Sequence, residues 1–346
     1  MNFSNAQDKH IKNLHEQNIT SFENDFHKRF SENEYTCEYT KLNYFSHHRP
    51  FNFDPGYLMA QSRACITLLK NECDVISDMH IVVPAMYFDK ITIRRIEFTI
   101  DGSDFGKVCF TGAEKIIYNL MQKKVINHEN KYVIQFPFFD MIPLLKLTDS
   151  KIVFWILAEC ANTEENNIYK NFFNDIDIYG KKYILKDDNQ RQLLINEPSE
   201  YIIIHNQYCG EESVKTGINR YKLGFVHPVF LLHINGIDKT KIKNIELLAD
   251  SHIIADGVEE FDNMKKIFCE NNNYNEIDSH IVIFGNTFNK NNFYLNSTLN
   301  FSTFDRPAQL IIDVDEIDED SEIFISALNY NTVRFASGKA ALRYSK

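Results

Sequence analysis

Short runs with apolar residues at every second position dominate the chain after about residue 35. In 75–83 the residues Val75, Met79 and Val83 fall in one phase, which is typical of a strand with one buried face. Pro84 is expected to end this strand. In 91–100 the apolar phase shifts near Arg94 and Arg95. Such a shift predicts a β-bulge.

A second series of apolar runs follows a polar, Asn-rich patch after residue 164. The run at 151–158 before the patch is almost continuously apolar and predicts a strand covered on both faces. The later strands are predicted at 201–204, 225–234, 245–248, 280–284, 308–314 and 323–328. Many short strands separated by Asn, Asp and Gly turns indicate an all-β protein. Two series of similar length predict two domains, 36–200 and 201–346.

Residues 1–35 have a different pattern and are predicted to form a helical N-terminal arm. Their apolar residues recur at spacings of three to five: Ile11, Leu14, Ile19, Phe22, Phe26 and Phe30. This spacing is typical of an amphipathic helix. The helix either packs on its own domain or docks on a neighbouring subunit or an underlying membrane, and disorder is a third alternative.

The acidic balance argues against a nucleic-acid partner. The net charge is -11, the pI is near 5.6, and there is no long Lys/Arg run, whereas nucleic-acid binders show a basic stripe. The seven cysteines include no C-x-x-C pair, which predicts free thiols in a reducing compartment. We find neither a signal-peptide h-region nor an apolar stretch of roughly 18 residues, the length of a membrane span.

Four clusters of residues could form a chemical site, and the sequence evidence for each is weak. The segment GSDFGK at 102–107 lacks the spacing of a phosphate loop. His47 and His48 are adjacent and have no third ligand in register. Asp74, Asp78 and Glu97 could pair as general acid and base, but nothing places them in a pocket.

The fourth cluster is the acidic run at 313–320. It lacks the EF-hand glycine and flanking helices. We interpret it as a solvated loop, with calcium at a subunit contact as the alternative. The sequence therefore assigns no catalytic, cofactor-binding or metal residue and no cofactor.

The last fifty residues carry the most specific signal. They read STLNFSTFDRP at 297–307 and ALNYNTVRFASGKAALRYS at 327–345. This order and spacing resemble the end of the major capsid proteins of nucleocytoplasmic large DNA viruses, which show "LNFSR-D" and then "NYN-LR--SG-GGL-YS". Three upstream segments, 73–77, 136–147 and 227–232, resemble the family's "GDLI", "PFWF…LPLIAL" and "HPVKELIW". The tail departs from the family where Lys339, Ala340 and Ala341 replace the usual glycines.

The resemblance implies a double jelly roll, that is, two consecutive eight-stranded jelly-roll barrels. It implies a structural capsid protein, not an enzyme, that forms pseudo-hexameric homotrimers in the icosahedral shell of a large double-stranded DNA virus. The implied partners are neighbouring capsomers, minor capsid proteins and an inner membrane through residues 1–35. The implied location is the virion, assembled in the host cytoplasm. The chain is compact for the family, so minor capsid and scaffold roles remain open, and a carbohydrate-binding or hydrolytic β-sandwich is the alternative.

The matching tail also supplies the candidate site, to which we assign a structural role. Its members are Asn300, Phe301, Ser302, Asn329, Tyr330, Asn331, Arg334, Ser337, Gly338 and Tyr344. We expect them to hold the last strand and the tail in the second barrel. Arg334 offers five donors and is predicted to bind carbonyls or a carboxylate in a buried junction. Ser337 and Gly338 should permit a sharp bend.

Overall fold

A computed structural model shows two compact units. It describes residues 3–16, 21–49, 51, 59–68, 72–87, 90–100, 103–109, 126–128, 131–135, 141–148, 152–161, 171–250, 252–272, 280–283, 298–317 and 321–344. The first unit comprises residues 19–203 and 332–343, and the second comprises residues 1–18, 204–331 and 344–346. The sequence predicted one boundary, at 200, whereas the chain passes between the units at 18/19, 203/204, 331/332 and 343/344. The arm at 1–35 does not form a unit of its own, because its two halves belong to different units.

The chain is mainly strand. The helices are α1 (Phe3–Glu16), α2 (Phe22–Arg29), α3 (Phe172–Asp175), α4 (Asp188–Asn196) and α5 (Val258–Asn272), with 3-10 turns at Ala85–Tyr87, Leu144–Lys146, Lys239–Lys241 and Phe301–Thr303. The strands are β1 (Tyr35–Lys41), β2 (Tyr44–His48), β3 (Met59–Leu68), β4 (Val75–Pro84), β5 (Ile91–Ile100), β6 (Ser103–Cys109), β7 (Ile126–His128), β8 (Lys131–Gln135), β9 (Met141–Ile142), β10 (Ile152–Ala161), β11 (Asp177–Leu185), β12 (Ser199–Ser213), β13 (Gly217–Leu223), β14 (Pro228–Asn235), β15 (Ile242–Ala249), β16 (His252–Asp256), β17 (His280–Ile283), β18 (Leu299–Asn300), β19 (Ala308–Val314), β20 (Glu322–Ala336) and β21 (Lys339–Leu342).

Four antiparallel sheets organise these strands. The first unit has sheet A, in the order β1-β11-β4-β8-β7 with β9 beside β4, and sheet B, in the order β2-β3-β10-β5-β6. The other two are sheet C, β12-β20-β14-β17 with β18 beside β14 and β21 beside β20, and sheet D, β13-β19-β15-β16. The division between the units falls inside β12 and β20. An eight-stranded jelly roll has two four-stranded sheets. Sheets A and C have six strands because the short strands β7, β9, β18 and β21 join them, and sheet B has five.

The core of the second unit is made of alternate residues from two sheets. Leu232 and Ile325 come from sheet C, and Ile245, Leu310 and Ile312 come from sheet D. They pack in one cluster and are almost completely buried. Removing this apolar surface from water is the main favourable contribution to folding. A two-layer β structure with one shared core is what the alternating pattern predicts.

Two details of the strand predictions are confirmed. In the ladder between β10 and β5, Leu157 pairs with Arg95 and Ala158 pairs with Ile93. Arg94 is therefore the extra residue of a β-bulge, at the position where the apolar phase shifts. Pro84 is the last residue of β4, as its lack of an N–H predicts.

Two predictions of burial are wrong, in opposite directions. β4 was expected to have one buried face, but Ile76 and Val82 of the other phase are also buried. β10 was expected to be covered on both faces, but only alternate residues are fully buried, and Trp155 faces outward beneath the Arg63 guanidinium at 4.5 Å. Coverage of a second face depends on what packs there in three dimensions, which a one-dimensional pattern does not contain.

Two separate helices replace the predicted arm, and both pack on this chain. Buried apolar side chains come from α1 (Ile11 and Leu14) and from α2 and its end (Phe22, Phe26 and Phe30); residue 19 lies outside the described part. This is the first of the three alternatives, a helix packed on its own domain. None of the described helices is both long enough and apolar enough to cross a membrane.

Candidate functional site

The three candidate catalytic carboxylates do not converge. Asp74 precedes β4 in sheet A, Asp78 lies in β4, and Glu97 lies in β5 of sheet B. Asp74 is buried and accepts a hydrogen bond from Arg191, with Nη2 2.7 Å from Oδ1. Glu97 pairs with Arg95 at 2.9 Å. Two of the carboxylates therefore have cationic partners, as expected for groups that stabilise the fold.

The weaker chemical motifs also lie in regular strands. The described part of GSDFGK, residues 103–107, is in β6, which pairs with β5, so it is a strand and not a phosphate loop. His47 and His48 lie in β2, where His47 is exposed and His48 packs 5.7 Å from the Phe173 ring.

The acidic run begins inside a strand, because Asp313 and Val314 are the last residues of β19. Asp315 follows and forms an ion pair with Lys243 at 2.8 Å. This hydrogen bond lowers the pKa of Asp315 below its usual value. Residues 318–320 lie outside the described part. Within the described ranges, no group of three or more His, Cys, Asp or Glu side chains could hold a metal ion.

Burial is the largest cause of the pKa shift in several titratable groups. Burial lowers the pKa of Lys146 to about 8, and its Nζ donates to the carbonyl oxygen of Glu197 at 2.5 Å. Burial likewise raises the pKa of Cys160 to about 11 and that of Cys73 to about 12. Perturbed groups often mark active sites, but Lys146 is only 4% exposed. These side chains are better explained as parts of the core.

The first part of the candidate motif forms a turn at Asn300. The Asn300 Oδ1 accepts hydrogen bonds from Ser302 N at 3.2 Å and from Ser302 Oγ at 2.7 Å. Its Nδ2 donates to Asp8 Oδ1 on α1 at 3.1 Å. Phe301, which lies between Asn300 and Ser302 in the chain, is buried and packs edge-on against Phe225 with ring centroids 5.7 Å apart. This turn therefore contributes Phe301 to the core of the second unit and contacts α1 through Asn300.

The second part is a buried polar network around Asn331. Its Nδ2 donates to the carbonyl oxygen of Tyr344 at 2.8 Å and lies 3.2 Å from Nε2 of His227. The other ring nitrogen of His227 lies 3.0 Å from the side-chain amide of Gln7 on α1. The Tyr344 ring packs edge-on against His10. The motif thus joins β20, the tail and α1.

Asn329 and Tyr330, neighbours in β20, are both buried but have different surroundings. The Tyr330 ring stacks on Phe230 with centroids 4.6 Å apart, and burial raises the pKa of its hydroxyl. Asn329 is opposite a bulge in β14 between Val229 and Leu231. Neither polar atom of its side chain has a hydrogen-bond partner among the described residues. Asn329 therefore offsets part of the stability that the strand supplies.

Arg334 is not buried, contrary to expectation. Its side chain is 54% exposed, and its Nε lies 3.5 Å from Glu200 Oε1. The same carboxylate also pairs with Arg343. The alternation of β20 explains the difference, because residue 334 falls on the one phase that reaches solvent near the end of the strand.

Replacing Arg334 with alanine is therefore expected to change the free energy of unfolding by only about 0–1 kcal/mol, the usual contribution of an exposed ion pair. Urea denaturation at neutral pH measures the change. Glu200 retains its second cation, Arg343, in this variant. A loss of about 3 kcal/mol or more, the cost of opening a buried pair, would contradict this assignment.

The bend after β20 requires the residues that the motif supplies. Ser337 and Gly338 both have positive φ, at 53° and 77°, and connect β20 to β21. A β-carbon at Gly338 would overlap the Thr148 hydroxyl. The Gly338 carbonyl oxygen also accepts a hydrogen bond from Thr148 N at 2.9 Å. Glycine is needed here both for its conformation and for its size.

The fold is similar to the folds of solved capsid proteins. PBCV-1 VP54, fitted into a reconstruction of the virophage Sputnik, has a TM-score of 0.61 with 14% identity over 90% of this chain and 97% of its own. The chain has the double jelly-roll fold. The double jelly roll of the Faustovirus major capsid protein matches with a TM-score of 0.53 and 8% identity over 86% of this chain and 90% of its own. No protein-family model and no curated protein sequence matches the chain.

The sequence did not single out the residues that complete these contacts. Gln7 sits in a helix whose other polar residues are mostly exposed, so nothing marked it as buried. His227 begins a segment that resembles a capsid strand, and this was its only signal. Lys146 lies in a segment that was interpreted only through its resemblance to capsid proteins, and the segment around Arg191 carried no signal. In each case the partner is more than fifty residues away in the chain.

Proposed function

We propose that this chain is a structural capsid protein that catalyses no reaction and forms pseudo-hexameric homotrimers in the icosahedral shell of a large double-stranded DNA virus. The observation that carries the proposal is the double jelly roll, which spans 90% of this chain and 97% of VP54. Two similar barrels in each subunit give six barrels in a trimer. Six near-equivalent barrels are what a pseudo-sixfold building block requires, and closed cyclic symmetry leaves no open end.

The edges of the sheets support self-association. β1, β13 and β16 are terminal strands of their sheets. Each exposes a large apolar side chain: Tyr39 is 54% exposed, Ile218 67% and Ile253 60%. In β1 nearly every residue after Tyr35 is exposed. Edge strands offer unpaired backbone groups to other chains, so contacts between subunits would cover such edges.

The purified chain is expected to be a trimer in solution. Light scattering at micromolar concentration should give about three times the mass of the 40.6 kDa chain, because obligate interfaces often bury roughly 2,000 Å² or more. The combined variant Tyr39→Lys, Ile218→Lys, Ile253→Lys should lower the trimer fraction. Leu193→Lys is the control, since Leu193 is 69% exposed on α4 and not on a sheet edge. A strict monomer at every concentration and salt would contradict the proposal.

The remaining partners follow from this role. They are neighbouring capsomers and minor capsid proteins in a virion assembled in the host cytoplasm. The net charge of -11 argues against direct contact with the genome, because DNA is also strongly negative. A contact between residues 1–35 and an inner membrane would require α1 or α2 to leave its present position, since their apolar side chains are buried.

A carbohydrate-binding β-sandwich is the second candidate. The observation that favours it is an exposed aromatic pair, in which Tyr39 stacks on Tyr179 with centroids 5.9 Å apart and His80 packs edge-on. Sugars commonly bind on such rings. A monomer that binds glycans in a titration calorimeter, and loses binding in Tyr39→Ala, would support this candidate over a capsid role.

A further inference from the structure

Both apolar and polar side chains of helix α1 are buried on the second unit. Among its described side chains, Ile11 is 0% exposed and Leu14 is 8% exposed. Gln7 is also buried, at 4%, and its amide contacts the ring of His227, which is itself 3% exposed. The next residue, Asp8, accepts a hydrogen bond from Asn300 Nδ2 at 3.1 Å. Attachment of α1 therefore depends strongly on the hydrogen bonds of its buried polar face.

The two contacts of the Asn331 amide indicate which tautomer of His227 is present. A backbone carbonyl only accepts, so the Asn331 atom 2.8 Å from the Tyr344 carbonyl must be the amide nitrogen. That same nitrogen lies 3.2 Å from Nε2 of His227. Nε2 must therefore accept and carry no proton. The neutral ring then keeps its proton on Nδ1.

Gln7 fits this tautomer. Nδ1 of His227 lies 3.0 Å and 3.4 Å from the two terminal atoms of the Gln7 amide. The oxygen and nitrogen of an amide are assigned from the hydrogen bonds they make. With the oxygen as the nearer atom, Nδ1–H donates to Gln7. Each contact in the chain Tyr344–Asn331–His227–Gln7 then joins a donor to an acceptor.

We propose that His227 is an acid-sensitive latch, whose protonation releases helix α1 from the second unit. A second ring proton, on Nε2, would point at the N–H of Asn331. Turning the Asn331 amide around would relieve that clash but would place its oxygen against the Tyr344 carbonyl. The charged ring therefore has no arrangement that keeps both bonds. This inference stands apart from the proposed capsid role.

Other titratable groups lie on the elements that contact His227. They are Asp8 and His10 on α1, His205 on β12 with its ring 6.1 Å from His227, and Tyr344 in the tail. Lys9, Lys12 and Glu16 of α1 are exposed. Burial raises the pKa of Asp8, although its hydrogen bond from Asn300 lowers it. Acid therefore neutralises Asp8 and favours attached α1, which opposes the latch.

The sign and size of the effect follow from proton linkage. When α1 is released, the His227 ring has the ordinary pKa of a histidine, about 6.5. When α1 is attached, the hydrogen bonds of the ring require its neutral form. The released state binds more protons, so attachment is at full strength above that pH and weakens as the pH falls. The ratio of attached to released α1 should fall about tenfold per pH unit below it, or about 30-fold at pH 5.

Hydrogen–deuterium exchange of the full chain tests the latch. Exchange of peptides covering α1 and β19 is followed at pH 7.5 and pH 5.0, after correction for the intrinsic rates. Protection of α1 should fall about 30-fold, while protection of β19, a core strand, should not change. His227→Gln should abolish the loss of α1 protection at pH 5.0, leaving only the opposite and stabilising effect of Asp8. His10→Gln and His205→Gln are the matched controls and should keep it.

A second variant keeps the test decisive if His227→Gln does not fold. Gln7→Glu places a carboxylate beside Nδ1, where it pairs with the charged ring. Release should then move to lower pH, and α1 at pH 5.0 should be better protected than in the parent. Unchanged protection of α1 in the parent between the two pH values would overturn the proposal. So would a Gln7→Glu chain that releases α1 at the same pH as the parent.

Discussion

Replacing Arg191 with alanine is expected to lower the free energy of unfolding by about 3–5 kcal/mol, the usual cost of leaving a buried charge without its partner. Asp74 is only 2% exposed, and Arg191 binds both of its carboxylate oxygens, with Nη2 2.7 Å from Oδ1 and Nε 3.0 Å from Oδ2. The backbone N–H of Leu185 also donates to Asp74, at 2.8 Å. In the variant this single hydrogen bond remains. Urea denaturation at pH 7 measures the loss.

Arg334→Ala is the matched control for this experiment, because it removes the same side chain from an exposed pair. Adding Asp74→Asn to Arg191→Ala should recover part of the loss, since the group left in the core is then neutral. The assignment is wrong if Arg191→Ala costs no more than Arg334→Ala. Arg191 pairs with Asp74 and Arg334 pairs with Glu200. Because each variant removes one arginine–carboxylate pair, a difference between their unfolding free energies reports the effect of burial.

Replacing Gly236 with alanine is expected to cost about 2–4 kcal/mol of folding free energy, from backbone strain together with a steric clash. Gly236 follows β14 and has a φ of +102°. A β-carbon there would overlap the backbone carbonyl oxygen of Glu322 and lie 2.9 Å from the Phe324 ring. A backbone oxygen in a strand cannot move aside cheaply. The lower melting temperature should be evident by calorimetry.

Gly257→Ala is the matched control for the glycine experiment. Its φ is similar, at +87°, but no atom lies within 4 Å of the added β-carbon. It should cost only the strain of the left-handed backbone, about 1–2 kcal/mol. Equal losses in the two variants would show that the approach of Glu322 to Gly236 contributes nothing.

The strand pattern of the chain could be predicted because alternation is a local property. The bulge at Arg94 and the end of β4 at Pro84 were both evident from the order of residues. How many faces are covered is not local. β4 has buried residues in both phases. Helix α2 covers part of this sheet through Phe26, which packs against Tyr183, the register partner of Val75. The sequence of β4 contains no sign of that helix.

The candidate site shows the same division. Its members were found because the tail resembles capsid proteins in order and spacing, and the bend at Gly338 could be argued from the residue type. The exposure of Arg334 and the contacts of Asn331 could not be predicted from the sequence. Their partners, Glu200 and His227, are more than one hundred residues away in the chain. Hydrogen bonds over such separations leave no periodic signal.

The long ladder between β14 and β20 has a consequence for synthesis of the protein. β14 is buried along nearly its whole length, and its partner β20 begins only at Glu322. A ribosome adds about 5–20 residues per second. β14 therefore has no β20 to pair with for roughly 5–20 s after its own synthesis. During that time the nascent chain displays one of its most apolar segments, so its yield in a cell should depend on chaperones that shield it until translation is nearly finished.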